Sequence, residues 1–330
     1  MKRSYLAGAI VVLTLLVVGS SWAGPLDAVA PYVGGEWRIN GAWNDGNPLQ
    51  ARATYEWSVG KKFIIAKTFV GEPTKAYQRY TTIFGEQDGK LMAWGFVFDG
   101  HHDVSEFKVD GKRLHSDKPM PSADRSTGST LHQSLEMTEP NQFKWNVSIE
   151  SKGEDKAVMD GVWVRSAEVS NDAQVKWPKL EASADDKLLE PVAALIGTWK
   201  IDTKWSDGRP LHATKMFEWG PGKKFVVATT SLLKEDGSVD YDRYYTLFGV
   251  DDGKLMQFNF VYDGTTDFAP QSIDGKRIMG TRTFKRDGAG NTVNQYVELT
   301  DPNTLHWRVW TEQAGPDKPM LDADWKRVEK

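Results

Sequence analysis

The chain has 330 residues, 40% of them hydrophobic and 12% aromatic, with 41 basic side chains against 45 acidic ones. The two signs of charge are interleaved rather than gathered into patches, so nucleic acid is not an expected partner. Cysteine is absent, which excludes disulfide staples, a lipid-modified cysteine anchor and a cysteine nucleophile, and leaves burial of apolar surface to hold the fold.

The N-terminus pairs basic Lys2 and Arg3 with an apolar run from Tyr5 to Val18, and Ser21 and Ala23 supply the small residues that a signal peptidase reads. The pattern predicts a signal peptide over 1–23 and a periplasmic or secreted product. The run is short for a bilayer span of about 20 residues, and no other stretch could cross a membrane, so no span is expected after cleavage. Loss of Lys2 and Arg3 would take the formal charge from −4 to −6.

Beyond the leader the sequence repeats itself. Gly35-Glu36-Trp37 returns as Gly197-Thr198-Trp199, an offset of 162 positions that also aligns Trp43 with Trp205, Asp45-Gly46 with Asp207-Gly208, and Glu56-Trp57 with Glu218-Trp219. The offset becomes 164 from Arg79-Tyr80, matching Arg243-Tyr244, through Asp110-Gly111, and returns to 162 for Trp145 with Trp307 and Arg165 with Arg327. A repeat this long is a duplicated domain rather than a solenoid unit, so each copy should close its own core. The expected organisation is a first domain over 24–166, a linker over 167–184 and a second domain over 185–330.

Each copy opens on a short helical stretch, Pro25 to Val33 and Asp185 to Ile196. Segments of alternating polarity follow, punctuated by turn pairs such as Asp88-Gly89, Asp99-Gly100 and Asp110-Gly111. About ten strands per copy in unbroken hairpin succession predict an all-β fold of two up-and-down antiparallel barrels, with a β-sandwich as the competing architecture. Alternation assigns inward faces to Trp37, Ile39 and Trp43, to Tyr55 and Trp57, to Met92, Trp94, Phe96 and Phe98, and to Phe143, Trp145 and Val147. Matching faces in the second copy include Trp199, Phe217, Phe258, Phe260 and Trp307.

Gly-x-Trp on the first strand with an Arg closing the last strand resembles the calycin superfamily of lipocalins, fatty-acid-binding proteins and nitrobindin-like barrels. The Asp-Gly-x-Pro-Leu turn and Glu-Trp strand end are similar to exported bacterial lipocalin-like domains of unassigned function. The resemblance implies closed barrels with an apolar ligand inside, and structural pairs of Trp37 with Arg165 and Trp199 with Arg327 in which the guanidinium packs on the indole. It does not imply haem, because neither final strand carries an axial histidine, and no cofactor is expected.

Polar residues on apolar faces are the remaining candidates. Gln133 shares a face with Leu131, Leu135 and Met137, and Gln295 with Val293, Val297 and Leu299; a buried amide needs water, a polar neighbour or a ligand. Lys67 lies on the face of Phe63, Ile65 and Phe69, and Lys215 on that of Ala213 and Phe217, where a cation would suit a carboxylate or phosphate head unless it snorkels out of the mouth. Arg79 and Arg243 each precede a tyrosine, and the sequence leaves open which of each pair faces inward. The first predicted cavity therefore holds Gln133, Lys67, Trp94 and Arg79, and the second Gln295, Lys215, Phe258 and Arg243.

His101-His102-Asp103 is the only dense group of metal-ligand types, but adjacent strand residues point to opposite faces and no metal site is expected. Nucleophile-elbow and zinc-protease motifs are absent, and the Gly85–Lys90 segment has the wrong glycine spacing for a phosphate loop. The function expected is binding of a small apolar or amphipathic molecule; a cyclase- or isomerase-type enzyme and a protein-interaction module are the alternatives. The sequence fixes neither the ligand nor the oligomeric state.

Overall fold

A computed structural model describes residues 24–72, 76–119, 128–167, 170, 180, 184–286 and 289–328, the side chains of 184 and 283–291 excepted. The expected signal peptide and most of the expected linker lie outside the described residues.

The first barrel comprises β1 (Glu36–Ala42), β2 (Pro48–Ser58), β3 (Phe63–Val70), β4 (Tyr77–Gln87), β5 (Lys90–Val97), β6 (His102–Asp110), β7 (Arg113–Pro119), β8 (Thr130–Glu139), β9 (Gln142–Ser151) and β10 (Glu154–Ser166). The second comprises β11 (Gly197–Lys204), β12 (Pro210–Trp219), β13 (Val226–Leu233), β14 (Val239–Asp251), β15 (Lys254–Val261), β16 (Thr266–Asp274), β17 (Arg277–Arg286), β18 (Ala289–Asp301), β19 (Thr304–Thr311) and β20 (Leu321–Arg327). Each set pairs antiparallel in chain order and closes on itself, β1 with β10 and β11 with β20. Closure removes the exposed edges that an open sheet would leave.

The predicted turns form for the predicted reason. Asp88 and Gly89 both adopt positive φ, at 52° and 75°, as do Asp252 and Gly253 at 48° and 67°; two consecutive left-handed residues give the type I′ turn whose twist suits a two-residue hairpin.

One end of each barrel is plugged. Two 3-10 turns, Pro25–Ala28 and Ala30–Tyr32, insert Leu26, Val29 and Tyr32 beneath the first, and helix α1 (Ala184–Ala193) places Leu189 and Val192 beneath the second. At this end the Arg165 guanidinium lies over the Trp37 ring at 4.4 Å and Arg327 over Trp199 at 4.2 Å. The indole N–H of Trp37 donates to the Tyr32 carbonyl at 2.7 Å, and that of Trp199 to the Leu195 carbonyl at 2.7 Å. Arg327 also donates to the carbonyls of Ile196 and Pro302, at 2.6 and 2.8 Å, so it ties the last strand to the chain leaving α1.

The largest departure from the sequence-based expectation concerns the aromatic stripes of β5 and β15. Leu91 and Ala93 point into the first barrel, whereas Met92, Trp94 and Phe96 point out of it and pack against Phe225, Phe258 and Phe260 of the second. Phe98 follows at the end of that stripe, and its carbonyl abuts Gly222 of the other barrel. Strand alternation identifies two faces but not which one is inside; both faces of β5 are apolar, because one lines a barrel and the other lines a barrel–barrel interface.

That interface repeats itself about a pseudo-two-fold axis. Phe63 meets Phe260 edge-on at 5.3 Å, and its counterpart Phe225 meets Phe96 at 5.4 Å. Gly60, at φ 66°, abuts the Tyr262 carbonyl, and Gly222, at φ 63°, abuts that of Phe98; a Cβ at either would overlap the carbonyl. The two turns belong to plugged ends and the two carbonyls to the opposite ends, so the barrels lie side by side and head to tail, with the self-complementarity of a symmetric dimer.

Candidate functional site

Register and side-chain direction show which of the expected site residues reach a lumen. Gln133 does: on β8 it faces inward with Leu131, Leu135 and Met137, and its amide donates to the Ser116 hydroxyl on β7 at 3.0 Å. Gln295 does so on β18, where its carbonyl accepts the indole N–H of Trp307 at 3.1 Å. Lys215 lies on the inward face of β12 between Ala213 and Phe217, paired with Trp199 on one side and Thr230 on the other.

Three expected cavity residues are elsewhere. Trp94 and Phe258 are buried in the interface between the barrels. Lys67 shares the outward face of Phe63 and Ile65, and its ammonium lies 4.0 Å from the Glu218 carboxylate of the other barrel. The face assignment was right and its direction was inverted, for the reason given for β5.

Arg79 and Arg243 sit at bulges near the ends opposite the plugs, where Thr68 pairs with Tyr80 but Phe69 pairs with Gln78, and Thr230 pairs with Tyr244 but Ser231 with Asp242. A bulge frees the extra residue from strict alternation. Arg79 donates to the hydroxyls of Tyr80 and Tyr77, at 2.7 and 3.3 Å, and lies 5.2 Å from the Phe98 ring centroid. Arg243 repeats this with Tyr244, Tyr241 and Tyr262. Tyr80 and Tyr244 are the inward members of each pair, since they register with inward Thr68 and Thr230.

Tryptophans expected on inward faces line both lumens, whereas several polar lumen residues were missed. Trp43 meets Trp145 edge-on at 6.2 Å in the first barrel, and Trp205 meets Trp307 at 6.1 Å in the second. All four project inward yet are only half-buried, so each barrel keeps an indole wall that water reaches. In the second barrel Thr246 and Gln257 both donate to the Asn259 carbonyl oxygen, at 2.6 and 3.0 Å, and the Asn259 amide nitrogen is buried without a partner among the described residues. Near the mouth Arg282 pairs with Asp267 at 2.7 Å and lies over the Tyr244 ring at 5.0 Å; Lys118 and Asp103, 2.8 Å apart, occupy the equivalent place in the first barrel. The signal for these was present in the repeat, as polar residues on alternating positions of β14 to β17, but it was obscured by the inverted direction of β15.

The Lys215 ammonium forms no ion pair or hydrogen bond among the described residues and rests 5.0 Å from the Phe217 ring centroid. The side chain is half-buried, and desolvation, assisted by the Arg282 charge, pulls its pKa down from 10.5 to about 8. Phe217 lies toward the plugged end, so this lysine does not snorkel to the mouth.

His102 is stacked between the barrels, 4.8 Å from the Phe258 ring and 3.8 Å from Asp251, and burial lowers its pKa. With His101 and Asp99 it borders a polar cleft of about 270 Å³ that also meets Asp185 and Lys224. Among the described residues no group of three or more histidine or acidic side chains is arranged to hold a metal ion, and no helix is long and apolar enough to cross a membrane.

The chain matches no family model and no curated protein. Among solved structures, a DUF3598-family protein of unknown function from Nostoc punctiforme aligns with it at 11% identity over 93% of this chain and 100% of that one, with a TM-score of 0.25. A likeness that weak has no bearing on function.

Proposed function

We propose that this is an exported, calycin-like tandem barrel protein that binds a small, largely apolar molecule within its lumens. The observation that carries the reading is the pair of half-buried indole walls, Trp43 with Trp145 and Trp205 with Trp307, which face inward in closed barrels. Binding pockets for small molecules are mostly apolar and aromatic with a few placed polar groups, and Gln133 and Gln295 supply one amide beside each wall. The Arg-on-Trp contacts at the plugged ends support the calycin-like assignment.

Titration with 1-dodecanol, followed by tryptophan emission, tests the reading. A saturable blue shift is expected, reduced separately by Gln133→Leu and Gln295→Leu. Absence of any saturable change, with this alcohol and with a mixed lipid extract, contradicts it. Export is tested on protein recovered from its own cells, whose N-terminus should be Gly24.

The enzyme alternative draws on one observation: the chain of contacts from Asp267 through Arg282 and Tyr244 to Arg243 at the mouth of the second barrel. A linked carboxylate, guanidinium and phenol can move protons on a bound molecule. Recovery of a chemically altered compound after incubation, lost in Tyr244→Phe, would favour that reading.

A further inference from the structure

The strand registers of the two barrels superpose residue for residue, which exposes how differently their lumens are furnished. Trp37 pairs with Ala53 in the first barrel, and Trp199 with Lys215 in the second. Thr82 pairs with Gly95, and Thr246 with Asn259; Phe84 pairs with Ala93, and Phe248 with Gln257; Leu91 pairs with Phe107, and Leu255 with Gln271. At four inward positions Ala, Gly, Ala and Phe are thus replaced by Lys, Asn, Gln and Gln. Gln271 fits only because Gly280 stands opposite, where a Cβ would overlap its amide.

We propose that the second barrel alone holds an acidic head group, a carboxylate, between Lys215 and Asn259, while the first takes neutral apolar molecules. This rests on the lumen-binding reading above. Among the described residues of this lumen the groups left without protein partners are donors: the ammonium of Lys215, and the amide N–H groups of Asn259, whose carbonyl is already committed to Thr246 and Gln257. Asn259 is buried, at 1% exposure. A half-buried cation without a counter-charge, in the same lumen as a buried donor left without a partner, is costly in an empty site and is satisfied by an anion that accepts hydrogen bonds.

Position and charge support a carboxylate. Asn259 stands in the row of Thr246, Ala228 and Phe217, two residues along from Lys215 and three strand spacings of about 4.8 Å around the wall, and the lysine ammonium reaches toward Phe217 in that same row. Among the described residues the lumen offers a single uncompensated positive charge, because Arg282 is neutralised by Asp267 at 2.7 Å. A monoanion balances that charge, and a phosphate dianion does not.

The test uses the full mature chain with dodecanoate, 1-dodecanol and dodecyl phosphate, followed by calorimetry and native mass spectrometry. The expected result is one site preferring dodecanoate over the alcohol by about ten- to a hundredfold, the range for a hydrogen-bonded charge. Lys215→Met should abolish that preference by lowering dodecanoate affinity to about that for the alcohol. Asn259→Gly, which installs the residue of the first barrel, should lower dodecanoate affinity severalfold and serves if the lysine variant fails to fold. Equal binding of acid and alcohol by the wild type, or a preference that survives both substitutions, overturns the proposal and leaves the lumen reading intact. Tighter binding of dodecyl phosphate overturns the single-charge assignment. No binding of any of the three defeats the lumen reading itself.

Discussion

Replacing Lys215 by Met should make the protein more stable. In the native chain the ammonium sits in the lumen, 5.0 Å from the Phe217 ring, with no counter-charge among the described residues. A fall in its pKa from 10.5 to about 8 is worth about 3 kcal/mol at neutral pH, at about 1.4 kcal/mol per tenfold change in proton affinity. Water reaching the side chain through the lumen reduces this to about 2 kcal/mol, several degrees in Tm for a domain of this size. The sign follows from the depressed native value: between about pH 8 and 10.5 the unfolded chain binds more protons than the native one, so stability rises with pH there. The destabilisation is complete below about pH 8 and has gone above 10.5. Urea denaturation of wild type and variant in parallel measures it, because tyrosines and other lysines titrate in both and cancel in the difference. The variant should be more stable at neutral pH, and the pH-dependent part of the gap should close by about pH 10.5. A variant less stable than wild type at neutral pH, or a gap independent of pH, refutes the claim that this lysine is charged, desolvated and unpaired.

Three further substitutions probe the framework. Gly222→Ala places a methyl group against the Phe98 carbonyl in a left-handed turn, so it should separate the barrels while each stays folded. Small-angle scattering would record a longer particle with unchanged circular dichroism, and unchanged dimensions would contradict the docking described. Trp94→Ala should cost about 3 to 5 kcal/mol, lost from barrel–barrel docking, with ligand affinity in the lumens unchanged; hydrogen exchange should rise in β3 to β5 and β13 to β15 together. Arg327→Ala removes a guanidinium that covers Trp199 and donates to Ile196 and Pro302. It should destabilise the second barrel by about 2 to 4 kcal/mol, read by chemical denaturation, and an effect under about 0.5 kcal/mol would remove its structural role.

Much of the fold was legible because the chain states it twice. The repeated Trp37 and Trp199, the Asp-Gly turns and the alternation around Gln133 and Gln295 each lead to the elements observed, and each signal is local. The sequence could not say which of two apolar faces looks inward. For β1 and β9 one face is polar, so Trp37 and Phe143 declare themselves; β5 is apolar on both faces, since Ala93 lines a lumen and Trp94 an interface. Small residues inside and large aromatics outside invert the usual expectation, and the cause is a neighbour that an alternation pattern cannot represent. The same blindness placed Lys67 in a cavity and hid Asn259 and Gln257. Arg79 and Arg243 were undecidable for a different reason: each sits at a bulge, where alternation is interrupted.

The most direct test of ligand binding within the lumens is native mass spectrometry of the mature protein, purified gently from its own cells and compared with the same sample after denaturation. A discrete excess mass that disappears on denaturation is the predicted result, with the Gln133→Leu and Gln295→Leu variants each losing the portion held by one barrel. A native mass equal to that of the bare chain, unchanged after incubation with a mixed lipid extract, would contradict the account and leave two barrels whose principal interaction is with each other.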